Sequence, residues 1–82
     1  MFDKLKQLNQ LRQLKSELEK ERKEVEKEGV KVTVNGRMQV EKIILNPALD
    51  PGKQGEIIKE CINEAMKQIQ QSAAQMMLKM QQ

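Results

Sequence analysis

Few side chains in this chain could do chemistry. It has no histidine and a single cysteine, Cys61. Cys61 falls among Ile58, Ile62 and Ala65 at helical spacing, so it reads as a small packing residue rather than a reactive thiol. Glu60 and Glu64 stand one helical turn apart, but no further ligand accompanies them. A Cys/His zinc site is excluded within one chain, and the two glutamates read as solvated surface. PGKQGE at 51–56 lacks the pattern of a glycine-rich phosphate loop. No nucleophile stands with a base. We therefore expect no catalytic residue, no metal site, no cofactor and no small-molecule substrate: the chain does not read as an enzyme.

What remains is charge. The net charge is +3, unevenly spread. Residues 1–16 carry Lys4, Lys6, Arg12 and Lys15 against Asp3, for +3. Residues 17–28 carry six glutamates against four basic residues, for −2. Residues 65–82 carry Lys67 and Lys79 with no acid, for +2. Lysine and arginine clustered on helical ends are the electrostatic footprint of phosphate binding. With one phenylalanine and no tryptophan or tyrosine, stacking on single-stranded bases is disfavoured. Binding of this kind would be backbone contact, salt-sensitive and weakly selective for sequence.

The cations need elements to carry them. Leu5, Leu8, Leu11, Leu14 and Leu18 recur at spacings of three and four, with Val25 seven further on. That spacing predicts one helix over about 3–28, with a Glu19–Lys23 pair on its surface and Gly29 as its C-terminal cap. Val30, Val32 and Val34 alternate with Lys31 and Thr33, the pattern of a half-buried strand. Asn35-Gly36 marks a turn, and the strands of this hairpin span about 30–45. A three-residue loop, Val34-Asn35-Gly36, would set Val32 opposite Met38 and Val30 opposite Val40. It gathers the apolar residues on one face, with Gly36 in the left-handed position. The parity change between Val40 and Ile43 predicts an irregularity near Glu41-Lys42.

Asp50 suits an N-cap and Pro51 a first helical position. Gly52 and Gly55 weaken that first turn, which moves the expected firm start toward Gln54. Ile58, Cys61, Ile62, Ala65, Ile69, Ala73, Met76 and Met80 then form a stripe to about residue 79, widened by Met66 and Met77. Two helices of about 26 residues would each run about 39 Å. A two-stranded hairpin cannot cover both, and a chain of this size has a marginal core. A homodimer is the expected remedy. No apolar run approaches the roughly 20 residues of a membrane span, and the N-terminus lacks the apolar stretch of a signal peptide. We therefore expect a protein of the cytoplasm, with no membrane partner.

Three segments carry a resemblance. They are MFDKLKQLNQLRQLKSELEK at the start, VKVTVNG at 30–36, and Val40, Ile43, Leu45, Asn46, Pro47, Ala48 and Leu49 after it. With INEAMKQIQQ at 62–71, they make the chain resemble the YbaB/EbfC family of nucleoid-associated DNA-binding proteins. The resemblance covers most of the chain and is most specific at 30–49. It implies a helix–sheet–helix protomer, a tweezer-like homodimer, a place on the nucleoid, and binding of duplex DNA by basic residues of the helical arms. Lys4, Lys6, Arg12, Lys15, Lys67 and Lys79 are the residues expected to contact phosphate. The family places a glycine-rich segment and a further strand before VKVTVNG. Here only Gly29 stands there, which leaves that element shortened or missing.

The sequence thus reads as one α+β domain over 1–82. It comprises a long helix, an antiparallel β-hairpin or a hairpin with a third short strand, and a second long helix, paired as a homodimer. The leading expectation is a DNA-binding protein with little sequence readout. The other is an assembly module that offers its leucine and methionine stripes to a partner helix.

Overall fold

The computed structural model describes residues 2–80, and side chains from Lys4 to Lys79. Its elements are α1 (Phe2–Lys20), β1 (Arg22–Lys27), β2 (Val30–Asn35), β3 (Val40–Ile44) and α2 (Pro51–Met80). The strands form one antiparallel sheet in the order β1-β2-β3. The fold class is α+β as expected, with three strands. Met80, the last residue of the expected stripe, lies outside the described side chains.

The first helix stops at Lys20, and the segment expected to continue it is strand β1. RKEVEK has one apolar residue, Val25, so its own pattern favours neither helix nor strand. The partner decides. Val25 pairs with Val32 and is buried there. The Glu19–Lys23 pair does not form; Glu19 bonds Arg37 at 3.3 Å and Lys23 reaches Glu21 at 3.7 Å. Gly29 is not a helix cap. With Lys27 opposite Val30, Glu28 (φ 48°) and Gly29 (φ 82°) make a two-residue turn. Positive φ at both central residues is the primed geometry that matches strand twist. The strand that Gly29 alone seemed too little to support is therefore present.

The second hairpin differs in register from the expectation. Val34 pairs with Val40, Thr33 with Lys42, Val32 with Ile43 and Lys31 with Ile44. The register shifts between Thr33 and Val34, so Glu41 is the extra residue. That irregularity lies where the parity change placed it. The loop is Gly36-Arg37-Met38, closed by Asn35 N–H donating to the Gln39 carbonyl at 3.0 Å. Its left-handed residue is Met38 (φ 64°), not Gly36.

Asn35 and Gly36 explain the shift. The Asn35 Oδ1 accepts from the backbone N–H groups of Arg37 (2.9 Å) and Gln39 (3.1 Å). This side-chain turn pins the loop two residues later than an Asn-Gly pair alone would. Gly36 serves a different end. A Cβ there would stand 1.6 Å from the Leu18 carbonyl oxygen. The end of α1 therefore packs directly on the Gly36 backbone, and Gly36 N–H donates to the Glu21 carbonyl at 3.0 Å.

Val30, Val32 and Val34 share one face, as their alternation required, and are wholly buried. They meet Ile57, Cys61, Ala65 and Ile69 of α2. Ile57 holds the innermost position expected of Ile58, while Ile58, Ile62 and Met66 flank the core. Asp50 caps α2 as expected: its Oδ1 accepts from Lys53 N–H at 2.9 Å, and its carbonyl from Gln54 N–H at 2.9 Å. The helix accordingly starts at Pro51, the expected first helical residue, and Gly52 and Gly55 do not delay it to Gln54. Gln54 instead accepts Asn46 N–H on its Oε1 at 2.7 Å.

Two glycines should respond in opposite directions. Gly36→Ala drives a methyl into the α1 backbone and should cost about 1–3 kcal/mol, the scale of an overpacked site. Gly55 sits within α2, and a methyl added there would meet nothing within 4 Å, so Gly55→Ala should stabilise by about 0.5–1 kcal/mol. Urea unfolding of both variants checks the pair.

Candidate nucleic-acid interface

The sheet carries many cations, and carboxylates neutralise most of them. Arg22 pairs with Glu41 at 2.7 Å, Lys27 with Glu64 at 3.0 Å, and Lys31 with Glu24 at 3.3 Å. Lys53 meets Glu28 and Lys59 meets Glu56. The Glu64 carboxylate holds the Lys27 ammonium above its ordinary range. Glu64 is thus committed to Lys27. Among the described residues, no group of histidine, cysteine, aspartate or glutamate could hold a metal ion. Cys61 is buried, its Sγ 4.0 Å from the Val30 carbonyl, and burial pushes its thiol up. Among the described residues, no helix is long and apolar enough to cross a membrane.

The helical cations differ. Lys4, Lys6, Arg12, Lys15, Lys67 and Lys79 are all exposed. None enters an ion pair among the described residues. Lys20 and Lys42 share this condition and were not singled out in the sequence. Pairing decides which cations are available, and pairing depends on neighbours distant in sequence.

Helical geometry sorts these positions. Lys4 and Lys15 lie eleven residues apart, which is three turns and about 20°. Arg12 is one turn from Lys15. The three share a face of α1, while Lys6 lies roughly opposite. On α2, Lys67 and Lys79 are about 120° apart and do not share one line.

The two helices leave the sheet at the same end. Asn46 anchors the approach to α2 beside the β1–β2 turn, its Nδ2 donating to the Glu28 carbonyl at 2.8 Å. From there α2 crosses the valines and reaches Ile69. The rest of α2 extends about 16 Å further. The end of α1 meets Gly36 in the β2–β3 loop, at that far end, and the helices touch each other. The molecule is drawn out to 59 × 18 × 14 Å. Among the described residues, the unpaired cations of α1 and Lys79 thus lie along a projecting helical arm, whereas Lys67 stands on the part of α2 over the sheet and Lys42 on β3.

One strand is left uncovered. α2 lies over β1 and β2. Val40 and Ile43 share its side of the sheet with Val34 and Val32, yet they are 39–42% exposed. Leu45 is exposed as well.

The family comparison fits this arrangement. The sequence model of the YbaB/EbfC DNA-binding family matches residues 1–82. The chain belongs to the YbaB/EbfC DNA-binding family. A search of curated proteins gives no match, and neither does a search of solved structures. YbaB/EbfC proteins are a non-enzymatic, DNA-binding family, in keeping with the chemistry of the side chains. The resemblance carried by VKVTVNG and the segment after it is therefore family membership over the whole chain.

Glu41 gives the stability of the sheet a pH dependence. Hydrogen bonds from Arg22, then Asn35, hold its carboxyl below the usual range. The bonded form is the charged one. Its contribution is therefore present above the ordinary carboxylate pKa and is lost as pH falls through the lowered value. The stability gap between the natural protein and Glu41→Gln should be open at pH 7 and narrow below about pH 4. Urea midpoints at both pH values check this.

Proposed function

We propose that this chain is a homodimeric, nucleoid-associated protein of the cytoplasm that binds duplex DNA through its helical arms. The observation that carries the reading is the division of charge among the described residues: the cations of the sheet are ion-paired except Lys42, while those of α1, and Lys67 and Lys79 of α2, are not. Lys4, Arg12 and Lys15 are the proposed phosphate contacts of one α1 face, with Lys6 on the opposite side of that helix and Lys67 and Lys79 on α2 as further contacts. Such contacts position a protein on DNA and carry no sequence information by themselves. Binding dominated by phosphate contacts gives weak readout of sequence.

The uncovered strand supports the dimer. Exposed apolar residues on an edge strand are a surface that proteins cover. A second copy packed on Val40, Ile43 and Leu45 would bury them, together with the flank of Ile58 and Ile62. A dimer doubles the arms. Its excess over residues 1–16 and 65–82 is about +10 from the sequence charges.

A second reading has its own support. Leu5, Leu8 and Leu11 are 45–62% exposed on α1, and Met77 and Leu78 near the end of α2 are 56–63% exposed. These residues could seat a partner protein's helix, and that reading requires no dependence on nucleic acid.

A DNA titration decides between them. Six phosphate contacts would give about a thousandfold loss of affinity between about 50 and 200 mM salt. Lys15→Ala should lower the salt slope by about 0.9 for each contact removed. A protein that sediments as a dimer and retains no duplex at low salt would be incompatible with the DNA reading. For the dimer, the natural chain should sediment at twice 9.5 kDa, and Ile43→Asp should shift it to the monomer.

A further inference from the structure

Helix α1 has no core of its own. Leu5, Leu8 and Leu11 are exposed, and only Leu14 and Leu18 are half-buried. It is held by the backbone contact at Gly36 and by a short contact with α2. Around that contact lies a polar recess of about 430 Å³ bordered by Ser16, Glu19, Lys20, Arg22, Arg37 and Glu41. Two charged bridges cross it. Glu19 Oε2 of α1 accepts from Arg37 Nη2 of the β2–β3 loop at 3.3 Å. Arg22 Nη1 donates to the Lys20 carbonyl at the end of α1, at 3.3 Å, while its Nε donates to Glu41 Oε1 at 2.7 Å. Glu41 Oε2 also accepts from the buried Asn35 Nδ2 at 3.2 Å.

We propose that these bridges set the direction of the α1 arm, and that Glu19 and Arg37 are positioning residues for its affinity toward duplex DNA. The second half rests on the reading of α1 as a DNA-contacting arm. Arg22 and Arg37 are engaged by carboxylates, so they hold the arm rather than add to its phosphate contacts. Leverage makes the joint matter. From Leu18 to Lys4 the helix runs about 21 Å, so a tilt of about 10° moves Lys4 by about 4 Å. That displacement is comparable with the ~3.4 Å of helix axis per phosphate on one strand. A small change at the joint thus takes the row Lys4, Arg12, Lys15 out of register with the backbone. The competent fraction of arms then scales the observed affinity.

The sign of one substitution separates positioning from simple electrostatics. Removing an acid from a protein that binds a polyanion should tighten binding through charge alone. Positioning requires the opposite: Glu19→Gln should weaken duplex binding about twofold to fivefold at low salt, the scale of a surface ion pair. The salt slope should stay unchanged, because no phosphate contact is removed. Glu19→Arg and Arg37→Glu should each broaden or shift the distance between spin labels on Gln7→Cys and Asn63→Cys. Samples are diluted with unlabelled protein, and Cys61 is buried. The double swap, which restores opposite charges and the natural net charge, should restore both distance and affinity. Tighter binding by Glu19→Gln, or distances indifferent to both single reversals, overturns the proposal. A natural dimer that retains no DNA overturns the tuning of affinity, while the label distances still judge the joint. The two failures are therefore told apart.

Discussion

The fold depends on how closely α2 approaches β2. Val30, Val32 and Val34 have no exposed surface, and they meet Cys61 and Ala65 from the helix side. Small residues there let the helix lie low on the sheet. The larger Ile57 and Ile69 close the two ends of the contact. This one seam fixes the helix along the central strand and lets β1 contribute Val25 beside it. It also determines what remains uncovered. A single helix over a three-stranded sheet reaches two strands, and β3 is left with its apolar side chains outward.

Charge follows the same division. Where β1, β2 and α2 come together, lysines and glutamates fall within reach of one another and pair. Along α1 and the last turns of α2, the cations enter no ion pair among the described residues. Such exposed pairs add little to stability. Their consequence is a field: matched over the sheet and positive along the arm.

Much of this was legible in the sequence, for identifiable reasons. Val30, Val32 and Val34 carry a strict two-residue period, and Asp50-Pro51 carries cap chemistry that depends only on its neighbours. The helical stripe of α2 was visible, though the choice of Ile57 over Ile58 needed the sheet in place. RKEVEK was illegible because its one apolar residue fits the seven-residue series from Leu18 and equally a strand. Pairing with β2 settles it, and no local signal reports that. The β2–β3 loop misled for a related reason. Gly36 looked like the turn glycine, but it is needed where α1 meets the loop, so Met38 takes the left-handed position. The positions of the cations could be read directly. Their availability could not, since the carboxylate that engages Arg37 lies 18 residues away, at Glu19.

The meander β1-β2-β3 joins each strand to its sequence neighbour through loops of two and three residues. Closing such short loops is fast and costs little chain entropy. Hairpins of this kind form in about 1–10 μs, and topologies dominated by local pairing fold quickly. The sheet can therefore assemble as a template early, before α2 docks on its valines. The slower step is the meeting of α2 with a strand more than twenty residues upstream, and any association of two copies through β3 must wait for a second chain to arrive.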